Sequence, residues 1–270
     1  KGPTLGSLIN PHRFLGSGLL DERGMQALLQ VLRAAVKSES PASERHELGV
    51  VAAGLAKAAD LLAERYTLVA TNVPYLGRGK QDDILKEHLE TKYPLGKADL
   101  ATAFVLRCLE LCAKGGSTAL VTPQNWLFLT TYKNLRETLL LNRTWNMVAR
   151  LGPGAFETIS GHVVNVVLPL LSAATPGDDQ LMSGIDVSAA GRPEDKAAML
   201  RGEQPAELAV IKQKAQLKNP DASVTTSIRD NSGHELRELA SSYQGLVTGD
   251  INRFVCKLWE VTDIGRRWVY

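Results

Sequence analysis

Apolar residues along the chain recur in two distinct periods, and the alternation between them outlines the fold. Residues 24–37 place apolar side chains at 25, 28, 29, 32 and 36, a spacing that predicts an amphipathic helix. After a polar break at 38–45, Leu48, Val51, Leu55, Ala58, Leu62 and Tyr66 repeat that spacing and predict a second helix. The pattern then shortens to a continuous apolar run at 67–71, which predicts a buried strand emptying into the loop 72–81. Residues 98–114 set Leu100, Phe104, Cys108 and Leu111 on one helical face, with Asp99 as candidate cap and Lys114-Gly115-Gly116 as the stop. A second buried strand is predicted at 117–122. A helix follows at 131–141, with Arg136 and Glu137 on its polar side, and then strands at 144–151 and 162–171. The connection between those strands is rich in turn residues and has no helical period. Past residue 172 the spacing predicts one more strand at 184–188, helix in two pieces around Pro205 over 194–217, and a turn at 230–235.

Helix and strand in alternation, closed by two successive strands, is an α/β order. It predicts a mostly parallel sheet with an antiparallel pair at one edge. In such sheets, sites form where loops leave the carboxyl ends of strands, so the loop after 67–71 is the first place to look for chemistry.

Composition narrows the class. With 270 residues, 44% hydrophobic and 22% charged, the chain is globular rather than collagen-like or disordered. A net charge of +2 excludes a histone-like nucleic-acid binder but leaves room for one local basic face. No apolar run reaches the roughly 18 residues of a membrane span, and no signal-peptide pattern opens the chain. Three cysteines, an odd number, argue against a disulfide framework; Cys108 and Cys112 read as core, and a reduced, cytoplasmic protein is expected.

The loop itself begins Asn72-Val73-Pro74-Tyr75 and continues Leu76-Gly77-Arg78-Gly79-Lys80. The tetrapeptide differs by one proline from Asn-Pro-Pro-Tyr, the signature of amino-methyltransferases at this location. Its residue types suit that chemistry. An exocyclic amino group on adenine is a poor nucleophile because its lone pair is delocalised into the ring. Two acceptors on its two hydrogens draw it toward a nucleophilic geometry. The Asn72 side-chain oxygen is one candidate acceptor, and the Val73 carbonyl the other. Tyr75 offers an aromatic face for a flipped base. Pro74 stiffens the turn and biases Val73 toward an extended conformation. Valine in place of proline keeps the carbonyl and loses ring rigidity. The competing reading is an ordinary turn, since asparagine and proline both favour turns.

Residues 60–171 resemble the large adenine-N6 DNA methyltransferases of the Eco57I type and of BREX phage-defence systems. The matching pieces run in order through 66–81 (YTLVATNVPYLGRGKQ), 97–111, 115–140 and 156–171. GSLINPH at 6–12 resembles the segment that leads into this region. The stretch from Gly245 to Val261, followed by RRWVY, resembles the entry to a target-recognition region. The resemblance implies a partial class I S-adenosylmethionine-dependent methyltransferase sheet, Rossmann-like, with an antiparallel edge pair and the start of a second region. It implies the later part of a catalytic domain at 1–175, a connecting α/β region at 176–240 and the start of target recognition at 241–270. The implied reaction is methyl transfer from S-adenosylmethionine to a flipped adenine in double-stranded DNA, within restriction-modification or phage defence beside other defence-system proteins.

On that mapping Asn72, Val73, Pro74 and Tyr75 form the adenine site. Phe156 is the candidate second stacking aromatic, with Leu170 at another position that fits. The glycine-rich cofactor motif and its acidic partner find no counterpart. Gly16 and Gly18 do not follow a predicted strand, so cofactor-binding residues stay unassigned and the chain reads as an internal fragment, inactive alone.

The remaining constellations are weaker. Arg78 and Lys80 suit contact with DNA backbone, but no Ser or Thr follows Lys80 as a P-loop requires. Arg253, Lys257, Arg266 and Arg267, interleaved with Phe254, Trp259 and Trp268, suit phosphates or, equally, a solvated face. Pro193-Glu194-Asp195-Lys196 reads as a charged helix start rather than a nuclease motif. The five histidines have no metal-ligand spacing. Two alternative functions stay open: methylation of RNA or of a protein glutamine, since the tetrapeptide serves any planar amino group, and a non-catalytic DNA-binding module.

Overall fold

The computed structural model describes residues 2–11, 44–156, 164–227 and 240. The chain divides into two compact units, Lys1–Ile228 and Arg229–Tyr270, and the architecture below belongs to the first. The predicted helix at 24–37, the glycines at 16 and 18, the turn at 230–235 and the closing aromatic-arginine stretch lie outside the described residues.

Among the described residues six strands make one sheet: β1 (Tyr66–Asn72), β2 (Cys112–Pro123), β3 (Thr144–Gly152), β4 (Val166–Ser172), β5 (Leu181–Asp186) and β6 (Leu208–Lys212). Their order in space is β1-β2-β4-β3-β5-β6. β1 and β2 are parallel, as are β3 and β5, whereas β4 runs antiparallel to both β2 and β3, and β6 antiparallel to β5. β1, β2, β3 and β5 therefore present their carboxyl ends on one side of the sheet. The α/β order and the antiparallel pair stand, but the sheet continues two strands past that pair. Residues of the 176–240 stretch supply them.

The longer helices among the described residues are α1 (Glu44–Ala63), α2 (Asp83–Lys92), α3 (Leu100–Leu111), α4 (Lys133–Asn142) and α5 (Pro193–Leu200). The main core gathers Val105, Leu120, Trp126, Leu139, Trp145, Val148, Val167 and Leu171, all buried. Trp126 and Trp145 meet inside it, ring centroids 5.7 Å apart and tilted by 39°. Cys108 and Cys112 are buried in that neighbourhood, as their apolar setting suggested, and burial pushes the Cys108 thiol up to about 12.

Four expectations need correction. The 67–71 run does form a strand, but most of β1 is exposed, and so are Leu48, Val51 and Leu55 on α1. Among the described residues β1 has a neighbour on one side only, and a run's hydrophobicity does not say which strands flank it. α3 ends at Leu111 rather than at Lys114-Gly115-Gly116, because Cys112 is already extended and opens β2. Gly115 there takes φ +78°, and a Cβ on Gly116 would stand 2.7 Å from the Tyr66 carbonyl oxygen, so both glycines serve strand pairing. The second helical piece after Pro205 is instead β6, where Ala209 and Ile211 face inward and Leu208 and Val210 outward, a period of two. Arg136, expected on the polar face of α4, is fully buried.

Candidate functional site

Asn72 ends β1, level with Val121 of β2, and the Val73 N–H donates to the Val121 carbonyl at 3.4 Å. That bond carries the chain off the sheet at its carboxyl edge. Val73 then plunges into the core, 3% exposed, and becomes the anchor of the turn. Asn72 and Pro74 on either side are exposed. A buried residue between two exposed ones holds the backbone while leaving the Asn72 amide free to meet a ligand. Tyr75 is half-buried against the main core, and its buried hydroxyl has no hydrogen-bond partner among the described residues. Burial, then the charge of Asp99, pushes its pKa up, so it stays a neutral phenol.

Asp99 is the residue that fixes the outgoing limb of this loop. Its Oδ1 accepts from the Ala101 N–H at 2.8 Å, capping α3, and from the Leu76 N–H at 3.3 Å. Around it the Leu100 N–H donates to Leu76 O at 3.0 Å and the Arg78 N–H to Ala98 O at 3.0 Å. The Gln81 side chain adds a bond to the same Leu76 carbonyl at 3.0 Å. The Asn72–Tyr75 turn is thus stitched to the start of α3 one residue after Tyr75. The sequence identified Asp99 as a helix cap; its second bond, 23 positions back, has no local signature.

A prediction follows at this position. Asp99→Ala removes a cap worth about 1 kcal/mol and should lower Tm by roughly 2–4 °C in differential scanning calorimetry. Asp99→Asn keeps a side-chain oxygen for both bonds and should melt near wild type. A Tm for Asp99→Asn as low as that of Asp99→Ala contradicts this account.

The other residues singled out from the sequence fall as follows. Arg78 and Lys80 lie in the short 3-10 turn Arg78–Lys80, separated by two residues from the Asn72–Tyr75 tetrapeptide. Arg78 is paired with Glu90 of α2 at 2.5 Å in a half-exposed contact of little energetic weight, and Lys80 is exposed. Phe156 is half-buried on the connection after β3, at the same edge of the sheet as Asn72. Leu170 sits inside β4, paired with Ala119 and Met147, away from that edge. Arg253 lies outside the described residues. The structure therefore brings the tetrapeptide, Arg78, Lys80 and Phe156 to one side of the sheet and sets Leu170 apart.

The segment after β2 completes this edge. Gln124–Leu127 forms a 3-10 turn, the Gln124 N–H donates to Asn165 O at 2.8 Å, and the Gln124 side-chain oxygen is buried without a partner. Trp126 is locked beneath it by a bond from Nε1 to Thr122 Oγ1 at 3.0 Å.

Among the described residues no glycine-rich turn ends a strand beside β1, and its far edge carries no paired strand.

Comparison with known proteins agrees with the resemblance read from the sequence. Residues 33–155 match the family model described as Eco57I restriction-modification methylase. The chain is 36% identical over 162 residues to the adenine-specific methyltransferase BrxX of Escherichia coli O9:H4 (strain HS), covering 60% of this chain and 13% of that protein. It is 38% identical over 105 residues to the adenine-specific methyltransferase PglX of Lacticaseibacillus casei (strain Zhang), covering 38% of this chain and 8% of that protein. The chain therefore spans a small part of the length of these relatives. Among solved structures, the modification subunit of a putative type I restriction enzyme from Vibrio vulnificus YJ016 aligns with TM-score 0.44 at 16% identity, over 66% of this chain and 40% of that one.

Proposed function

We propose, from the Eco57I restriction-modification methylase match over residues 33–155, that this chain forms the target-base side of an adenine-N6 DNA methyltransferase. The observation that carries the reading is the Asn72-Val73-Pro74-Tyr75 turn at the carboxyl end of a parallel strand, with the Asn72 amide exposed and its backbone anchored by Val73. The Asn72 side-chain oxygen and the Val73 carbonyl accept the two N–H bonds of the adenine amino group. Held that way, the nitrogen lone pair is turned out of conjugation and toward an electrophile. The base reaches this turn only when flipped from the duplex, and it then lies against Tyr75, with Phe156 at the same edge. Arg78 and Lys80 follow shortly after the turn and suit the DNA backbone beside the extruded nucleotide.

S-adenosylmethionine, the donor that the family uses, supplies an activated methyl group. Its binding would draw on residues beside β1, which among the described residues is paired on one side only. Residues 1–175 serve as the later part of the catalytic domain, 176–240 as its α/β extension and 241–270 as the start of target recognition, with Arg253 among the phosphate contacts. The working setting is a restriction-modification or phage-defence system in the cytoplasm, alongside its other proteins. No helix among the described residues is long and apolar enough to cross a membrane.

The test is substrate competition. The complete polypeptide carrying this chain, given labelled S-adenosylmethionine with equal masses of duplex DNA, RNA and unfolded protein, should label DNA. Label in RNA or in protein glutamine overturns the substrate assignment, and label in none overturns catalysis.

A further inference from the structure

The connection between β3 and β4 joins two adjacent antiparallel strands, yet it runs from residue 153 to residue 165. A hairpin of this kind needs about 2–5 residues, and surplus length on the functional edge of a sheet is the usual place for binding residues. Its far end is tied to the segment after β2 through Asn165, and its near end carries Phe156.

The near end is built with unusual firmness. Gly152 takes φ +65°, and a Cβ there would stand 2.6 Å from the Ser188 Cβ, so β3 and the residues after β5 are in direct contact. The Val187 N–H donates to Arg150 O at 2.9 Å just before it. Beneath lies Lys196 of α5, 1% exposed. Its ammonium donates to Leu151 O and, at 2.9 Å, to Pro153 O. Among the described residues it makes no ion pair, and the Asp186 carboxylate acts on it only through space, favouring its charge. A lysine is costly to bury as an ion, and a core position needing only volume is filled more favourably by methionine or leucine. What the ammonium does that they cannot is bridge two backbone carbonyls on either side of Gly152.

We propose that Lys196 is a positioning residue for the target base: by clamping Leu151 and Pro153 it fixes the root of the β3–β4 connection, and so sets where Phe156 stands at the substrate edge. The inference rests on the methyltransferase reading and deepens it. It makes α5, 40 residues beyond Phe156, part of the substrate-binding apparatus, reached through backbone rather than through contact with the base.

The test uses the complete polypeptide and a duplex in which 2-aminopurine replaces the adenine that the wild type methylates. Extrusion of that base raises its fluorescence, and stacking on an aromatic ring quenches it. Lys196→Met should alter the bound-state fluorescence at least twofold and lower kcat about tenfold, while KM for S-adenosylmethionine is unchanged. Lys196→Arg, which keeps donors for both carbonyls, should restore both readouts. Should Lys196→Met fail to fold by calorimetry, Pro153→Gly loosens the same root from the exposed side and must produce the same fluorescence change. Wild-type fluorescence and kcat in a folded Lys196→Met, or in Pro153→Gly where that variant is needed, overturn the inference alone. A wild type that methylates no adenine overturns the underlying reading and the inference with it.

Discussion

Replacing Asn72 by alanine is expected to lower single-turnover methyl transfer by about 10²–10³-fold, the usual cost of removing one preorganised polar group from a reacting centre. Thermal unfolding should stay within about 0.5 kcal/mol of wild type, because the side chain is exposed and bonds to nothing among the described residues. The anchoring of the turn is separate: it comes from the buried Val73 side chain and from the bond between its N–H and Val121 O. The combination of lost chemistry and kept stability is the signature of a residue that touches substrate. A variant that loses both, in proportion, would show that Asn72 is merely structural. Val73→Ala is the useful contrast. It keeps the carbonyl but empties a buried site, so it should cost stability before it costs the chemical step.

The second large effect is expected at Arg136. Its guanidinium has five N–H donors in a rigid fork, and all are used on backbone carbonyls. Nε donates to Ala222 O at 3.2 Å, Nη1 to Trp126 O at 2.7 Å and Leu129 O at 2.8 Å, and Nη2 to Asp221 O at 2.7 Å and Phe128 O at 3.5 Å. Burial pushes its pKa down, opposed by the nearby Asp221, but an arginine starts high enough to remain charged. The fork ties the segment after β2 to a turn in which Asp221 and Ala222 both hold positive φ, 53° and 50°. Non-glycine residues adopt that region at a cost, so the turn stands because Arg136 holds it. Arg136→Met should destabilise the fold by about 3–5 kcal/mol in urea unfolding, since it strands a set of buried carbonyls. Arg136→Lys should recover only part of this, because a single ammonium cannot serve five carbonyls. A loss below about 1 kcal/mol for Arg136→Met would refute this role.

These two residues also show what a sequence makes legible. The Asn72–Tyr75 turn could be read as a candidate site because the chemistry proposed for it is local: an apolar run, then four consecutive residues whose side chains and carbonyl suit one amino group. The elements past residue 172 are partly legible for the same reason: the strand expected at 184–188 overlaps β5, and the charged start of α5 has an ordinary helix signature. Arg136 was placed wrongly because an arginine beside Glu137 on an amphipathic helix has the pattern of a solvated face. Its partners are backbone carbonyls from 7 to 86 positions away, and carbonyls leave no trace in residue identity. Lys196 hides in the same way, with partners 45 and 43 positions back. The exposure of β1 was illegible for a different reason. A run of apolar residues states that a strand can be covered, and only the sheet order states on which side it is.

The account rests most heavily on the identity of the methylated atom. The complete polypeptide carrying this chain should be incubated with duplex DNA and S-adenosylmethionine, and the DNA digested to nucleosides for mass spectrometry. N6-methyldeoxyadenosine should accumulate with wild type and, over the same short incubation, fall by about 10²–10³-fold with Asn72→Ala. Methylation of cytosine instead, or the same yield of N6-methyldeoxyadenosine from both proteins, would contradict the assignment of this turn as the adenine site.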